Sequence, residues 1–269
     1  MDFPELDEAL ASATDVARDA GAVLSEGFRR PMTVRNKGAI DLVTEFDLRS
    51  EALVRDRLGA LFPSHRVVAE EGSAGDSGAT SADLVWYVDP LDGTTNFAHG
   101  HPFFAVSLGL YRGREGLLGV VHAPALGLTW TARRNGGALR NGQPCSVADH
   151  PRLQETLGAT GFPYDVRTNP DDNTREFREF LKRTRGVRRC GSAALDLAMV
   201  ADGTYGFYWE QYLSPWDMAA GAVLVAEAGG HLTDFTGGPA DPLSGRLLAS
   251  NQLLHDEALA VLREVRSGR

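Results

Sequence analysis

The sequence predicts an α+β portion over residues 1–150, followed by an α/β portion over residues 151–269. Three observations carry this expectation. A long stretch with apolar residues at helical spacing opens the chain. From about Leu84 to Gly142, extended apolar runs follow one another with only tight turns between them. After Pro151, short apolar runs alternate with helical stretches, the pattern of a sheet covered by helices.

In order along the chain, Leu6 to Phe28 is amphipathic, with Leu6, Ala9, Leu10, Ala13, Val16, Ala17, Ala20, Val23 and Leu24 recurring on one helical face. Thr33-Val34-Arg35 reads as a short strand, and Asn36-Lys37-Gly38-Ala39 as a loop. A second helix runs from about Thr44 to Leu61 and stops at Pro63. Arg66 to Ala69 reads as a strand, and Gly72 to Ser81, rich in Gly, Ser and Ala, is expected to be a mobile surface loop. Leu84 to Val88 is a strand. Phe103 to Tyr111 and Leu117 to His122 pair across a turn at 112–116, and Leu128 to Arg133 pairs with Ala138-Leu139-Arg140 across Asn135-Gly136-Gly137. Asn141-Gly142 is one more tight turn. In the second portion, strands are expected at 157–160, 187–190, 206–210, 232–234 and 247–249, with helices at 174–184, 192–201, 216–228 and 255–265.

Composition narrows the function. Thirty-six acids against 27 bases give a formal charge of −9, which argues against nonspecific nucleic-acid binding. The same charge repels a phosphate substrate unless bound divalent cations invert the local sign. The two cysteines, Cys145 and Cys190, have neither zinc-site nor disulfide-framework spacing. No basic, apolar leader opens the chain, and no apolar run approaches the ~18 residues of a membrane span. A soluble cytoplasmic protein is expected, with no membrane partner.

Trp86-Tyr87-Val88-Asp89-Pro90-Leu91-Asp92-Gly93-Thr94-Thr95-Asn96-Phe97 is the most informative run. A strand-like stretch ends in two aspartates three apart, then Gly-Thr. Carboxylates suit hard cations, and exposed backbone N–H groups suit phosphate oxygens. Taken alone, the run also reads as a strand followed by a Pro/Asp/Gly turn. Two further acidic segments bear on the choice. Val67-Val68-Ala69-Glu70-Glu71-Gly72 ends an apolar run in acids, and Ser214-Pro215-Trp216-Asp217-Met218-Ala219-Ala220-Gly221 sets an aspartate in the first turn of a helix. Glu70 alone reads equally as a solvated strand-end acid, and Asp217 as helix-dipole compensation worth ~0.3–1 kcal/mol.

Together these motifs resemble the inositol monophosphatases, within the lithium-sensitive, magnesium-dependent phosphatase superfamily. The resemblance runs from about Leu6 to the last helix and rests on D-P-L-D-G-T-T-N-F and P-W-D-x-A-A-G, with Glu-Glu-Gly before them. It implies a layered αβαβα fold, a homodimer, and hydrolysis of a small phosphate monoester with two to three Mg²⁺ ions. The implied metal ligands are Glu70, Asp89, the Leu91 carbonyl, Asp92 and Asp217. Glu70, Asp47 and Thr94 are the implied catalytic residues, with Asp47 bonding Thr94 to orient the attacking water. Phosphate would lie on the Gly93 and Thr94 N–H groups beside Asp92 and Asp217. Inositol hydroxyls would meet Gly191, Ser192, Ala193 and Glu210, although Glu210 alone is also an ordinary strand-end acid. Lys37 and Asp41 would belong to a loop over the site.

The all-oxygen ligand set suits Mg²⁺ and sets aside His99-Gly100-His101 as a zinc pair. The basic cluster Lys182, Arg183, Arg185, Arg188 and Arg189 reads as a solvated face or dimer contact. Thr95-Asn96-Phe97 and Glu210 favour inositol phosphate over histidinol phosphate, fructose 1,6-bisphosphate and nucleotide 2′- or 3′-phosphates, which stay open. A regulatory or RNA-associated binding protein on the same fold is the alternative of another class. The apolar-rich segment Phe103 to Leu128 adds to the dimer expectation.

Overall fold

The computed structural model describes residues 3–36, 42–72, 83–241 and 244–268. Lys37, Asp41 and all but Gly72 of the loop expected at 72–81 lie outside these residues. The elements in chain order are α1 (Phe3–Gly27), β1 (Val34–Asn36), β2 (Leu42–Thr44), α2 (Glu45–Leu61), β3 (Arg66–Ala69), β4 (Leu84–Asp92) and α3 (Thr94–Ala98). They continue with β5 (Ala105–Arg112), β6 (Glu115–Ala123), β7 (Leu128–Arg133), β8 (Ala138–Arg140) and β9 (Gln143–Cys145). The second portion holds β10 (Leu157–Thr160), α4 (Thr174–Arg183), β11 (Gly186–Arg188), α5 (Ala193–Ala201), β12 (Phe207–Gln211), α6 (Pro215–Glu227), β13 (His231–Thr233), β14 (Arg246–Ser250) and α7 (His255–Ser267).

Alternation along the strands sorts side chains into layers. On β4, Trp86 and Val88 face one way, into a core with Leu6, Val16 and Leu24 of α1 and Val54 and Leu58 of α2. Val85 and Tyr87 face the other way, into a core with Leu195 and Leu197 of α5 and Leu224 of α6. That same central core takes Ala159, Tyr208 and Ala249 from the second sheet. On β12, Phe207 and Trp209 turn outward to meet Phe180 of α4 and Leu259 and Leu262 of α7. The layers are therefore α1/α2, a seven-stranded sheet ordered β3-β4-β5-β6-β7-β8-β9, α5/α6, a five-stranded sheet ordered β11-β10-β12-β14-β13, and α4/α7. This is the expected αβαβα arrangement.

Three differences from the sequence reading have local causes. β4 does not end at Val88. It runs to Asp92 across a bulge, with Asp89 opposite Ser107 and Asp92 opposite Ala105. Pro90 lies at this bulge, where its missing N–H takes no ladder bond away. β9 contains Pro144, which hides a strand from pattern reading but is tolerated at a sheet edge. The second sheet is mixed. β10 lies parallel to β11 and β12, whereas β14 is antiparallel to both β12 and β13, and β13 reaches β14 without a crossover helix.

The apolar hairpin thought to favour a dimer is consumed within the chain. Val106, Leu108 and Leu110 of β5 and Leu118 and Val120 of β6 pack under α1 and α2. Among the described residues, no helix is long and apolar enough to cross a membrane.

Helix α6 rests against the first sheet almost backbone to backbone. A Cβ on Gly119 would lie 2.4 Å from the Ala220 carbonyl oxygen, and one on Gly109 would lie 2.7 Å from the Ala219 Cβ. Gly119→Ala is expected to cost ~1–3 kcal/mol through overpacking, read by urea denaturation. A neutral result would show that α6 can lift from the sheet without loss.

Candidate active site

The carboxylates gather where the two sheets and the central helices meet. The β4 bulge carries Asp89 and Asp92, both buried. Asp89 accepts a hydrogen bond from the Leu91 amide at 3.0 Å. Asp92 accepts from the Ser192 hydroxyl at 2.5 Å and the Ala194 amide at 2.7 Å. Ser192 is the N-cap of α5, so a first-sheet carboxylate is fastened to the start of a central helix. Asp217 closes a capping box at the start of α6 and accepts the Ser214 amide at 2.7 Å. Fixing one oxygen of a carboxylate fixes the direction of the other. Glu70 follows β3 directly.

These acids feel one another. Burial, then Glu70, Asp92 and Asp217, push the Asp89 carboxyl well above its ordinary range. Burial and Asp92 push Asp217 up. Burial raises Asp92 to about 6, against the opposing pull of its Ser192 and Ala194 hydrogen bonds. Among the described residues, no three His, Cys, Asp or Glu groups converge into a closed ligand cluster. The acids thus share a field without collapsing onto one point. Hard oxygen donors raised by burial and by one another are the donor set a divalent cation relieves, so the residues fit Mg²⁺.

Asp47 and Thr94 meet as expected. Thr44 caps α2 and forms a reciprocal box with Asp47, whose Oδ2 accepts the Thr44 amide at 2.8 Å and the Thr44 hydroxyl at 2.5 Å. Asp47 Oδ1 accepts from the Thr94 hydroxyl at 2.7 Å. Thr94 Oγ1 also lies 3.1 Å from the Leu91 carbonyl. Burial raises the Asp47 carboxyl, while the hydrogen bonds from Thr44 and Thr94 oppose that shift. Gly93 starts α3 with φ 96°, a left-handed turn that glycine adopts without strain.

Asp92, Gly93, Thr94, Gly191, Ser192, Ala193, Glu210 and Asp217 all line one cleft of about 240 Å³. Glu210 belongs to this lining. Its Oε2 accepts the Tyr208 hydroxyl at 2.5 Å, and burial lifts its carboxyl to about 7. Gly161 makes room for it, since a Cβ there would fall 2.1 Å from the carboxylate. Glu70 opens on a neighbouring cavity with Thr33, Arg35 and Thr44. Glu71 donates its amide to Glu51 at 2.8 Å. His99 and His101 are exposed beyond α3.

Arg189, exposed as the basic cluster was expected to be, also lines the cleft, and its charge opposes the rise at Glu210, a place the sequence reading did not give it. Sequence reading also missed three other residues. Asn96 donates to the Phe103 and Cys190 carbonyls at 2.6 and 2.8 Å, tying α3 to the turn before α5. Asp196 is buried with Oδ1 unpartnered, and Glu210 and Asp92 help to raise it. Tyr212 lines the cleft. Asn96 lay inside a motif already in view, named there with Thr95 and Phe97 but given no contact of its own.

The model of the inositol monophosphatase family matches residues 5–267. The fructose-1,6-bisphosphatase/inositol-1-monophosphatase of Thermotoga maritima is 40% identical, over 92% of this chain and 93% of that protein. The Nus factor SuhB of Pseudomonas aeruginosa is 42% identical, over 89% of this chain and 90% of that protein. The solved inositol monophosphatase of Anabaena superposes with a TM-score of 0.88 at 40% identity, covering 97% of both chains. A match over nearly every described element, with the acidic motifs at the junction of the sheets, makes this phosphate monoester hydrolase a member of the inositol monophosphatase family.

Proposed function

We propose that this hydrolase acts on inositol 1-phosphate or a close polyol phosphate, with two to three Mg²⁺ ions at the acidic junction. The observation that carries the reading is the joint presence of Glu210 and the Asp92–Asp217 acids in one cleft. Glu70, Asp89, the Leu91 carbonyl, Asp92 and Asp217 would hold the cations. When bound, such ions neutralise phosphoryl charge and acidify a water.

The chain's own groups supply orientation. Thr94 gives its proton to Asp47, which leaves its oxygen lone pairs to accept from the attacking water. Asp47 is itself immobilised by the Thr44 box, so the pair is set before substrate arrives. The Gly93 and Thr94 amides receive phosphate oxygens. Glu210, held by Tyr208, accepts from a ring hydroxyl. A carboxylate there disfavours a second phosphate, which ranks fructose 1,6-bisphosphate, histidinol phosphate and nucleotide 2′- or 3′-phosphates lower.

The regulatory reading draws on likeness to a protein named as a Nus factor. A complete carboxylate set favours catalysis over binding alone. The two free thiols support a reducing cytoplasmic setting. The homodimer now rests on family membership alone. Family membership also motivates lithium sensitivity, expected as uncompetitive inhibition at millimolar concentrations in a phosphate-release assay.

Asp92→Asn keeps an acceptor for Ser192 and Ala194 but removes a charge. Turnover should fall at least ~100-fold with the fold intact by circular dichroism. Near-normal turnover in that variant would reject the site.

Protons compete with cations for raised carboxylates. Asp92 loses its proton near 6, and Asp89 and Asp217 lie above their ordinary range. The Mg²⁺ concentration for half-maximal activity should therefore fall as pH rises from about 6 to about 8. A requirement independent of pH in that window would mean these acids are not the ligands.

A further inference from the structure

We propose that Tyr212 is a specificity-determining residue, a fixed aromatic wall against which the cyclic alcohol half of the substrate stacks. The proposal rests on the phosphatase reading above and names the shape of the substrate's other half.

Tyr212 follows β12, two residues beyond Glu210, and precedes α6 and its Asp217. Its φ is +64°, in the left-handed region that bulky side chains rarely adopt. Glycine would occupy this position without strain. Nor does hydrophobic burial of the ring offset the strain, since Tyr212 is 51% exposed. A strained, exposed aromatic persists where the surroundings over-determine it, and such positions gather at ligand sites.

The surroundings of Tyr212 do over-determine it. Its hydroxyl donates to Asp171 Oδ2 at 3.1 Å, and the Arg246 guanidinium lies 5.7 Å from the ring centroid. Arg246 and Arg266 both bond the same Asp171 carboxylate, at 3.0 and 3.2 Å. The neighbouring Gln211 amide donates to the Asp171 carbonyl at 2.5 Å. The ring is thus immobilised by charged partners rather than by a core, and it still lines the cleft. Tyr164, 65% exposed, lines the same cleft from the loop after β10.

A pre-positioned aromatic face binds a ring face, saturated or aromatic, at little entropic cost. Glu210 reads hydroxyls at the edge of such a ring, and Tyr212 reads its face. An acyclic phosphate has no face to offer.

The test compares kcat/KM for myo-inositol 1-phosphate, adenosine 2′-phosphate and glycerol 2-phosphate in wild type, Tyr212→Gly and Tyr212→Phe. Tyr212→Gly relieves the backbone strain, so folding is retained, and melting temperature checks this. Its kcat/KM should drop ~10-fold on a cyclic ester, through KM, and stay within ~2-fold on glycerol 2-phosphate. Tyr212→Phe should keep the wild-type discrimination. Loss on inositol phosphate identifies a saturated ring as the partner of the wall, and loss on the adenosine ester alone identifies an aromatic one. An equal change on all three esters, or none, overturns the proposal. If wild type turns over none of them, the phosphatase reading falls. Calorimetric titration with the same esters then decides the stacking: tighter cyclic binding in wild type than in Tyr212→Gly upholds it, and equal binding overturns it.

Discussion

Acids buried within one another's field are the constraint around which this molecule is organised. Asp89, Asp92 and Asp217 are each raised by burial and by other acids of the set. Burial without partners favours their protonated forms. Local donors oppose this: the Leu91 amide at Asp89, Ser192 and Ala194 at Asp92, and Ser214 at Asp217. The Leu91 amide lies in the β4 bulge, and the other donors open a helix. Such positions have backbone N–H groups without partners of their own, so hydrogen bonding to an acid satisfies both sides. Cation binding completes what those bonds begin.

The same bonds join the layers. Asp92 comes from the first sheet, and its two donors open α5. Asn96 makes a parallel link from α3 to the Cys190 carbonyl. Ser50 donates to the Pro90 carbonyl at 2.8 Å, so α2 is pinned to the bulge as well. The polar groups that hold the site also set the spacing of the layers, and the apolar cores fill what lies between.

Much of this was legible in the chain. Periodicity gave the long helices, and the turn residues gave the order of the hairpins, because both signals are local. The acids were legible as one candidate site only in combination, since Glu70, Asp217 and Glu210 each have an ordinary reading. What escaped depended on distant segments. Arg189 looked like one member of a basic surface run, but the fold turns it toward Glu210. The bulge escaped because Pro90 and Gly93 imitate a simple turn, while pairing with Ser107 and Ala105 keeps the backbone in the sheet. The strained backbone at Tyr212 has no signature in sequence, since nothing about a tyrosine announces positive φ.

The bulge at Asp89–Asp92, the Asp47 box on α2 and the caps of α5 and α6 come from segments far apart along the chain. No short fragment contains a complete ligand set. During folding, long loops must close before the acids come together, and loop closure is the slow, entropically costly part of such a topology. Assembly of the acidic junction is therefore a late event, following the docking of α6 on the sheet. A nascent chain emerging from the ribosome passes most of its synthesis with these acids apart, and the junction closes with the last layers.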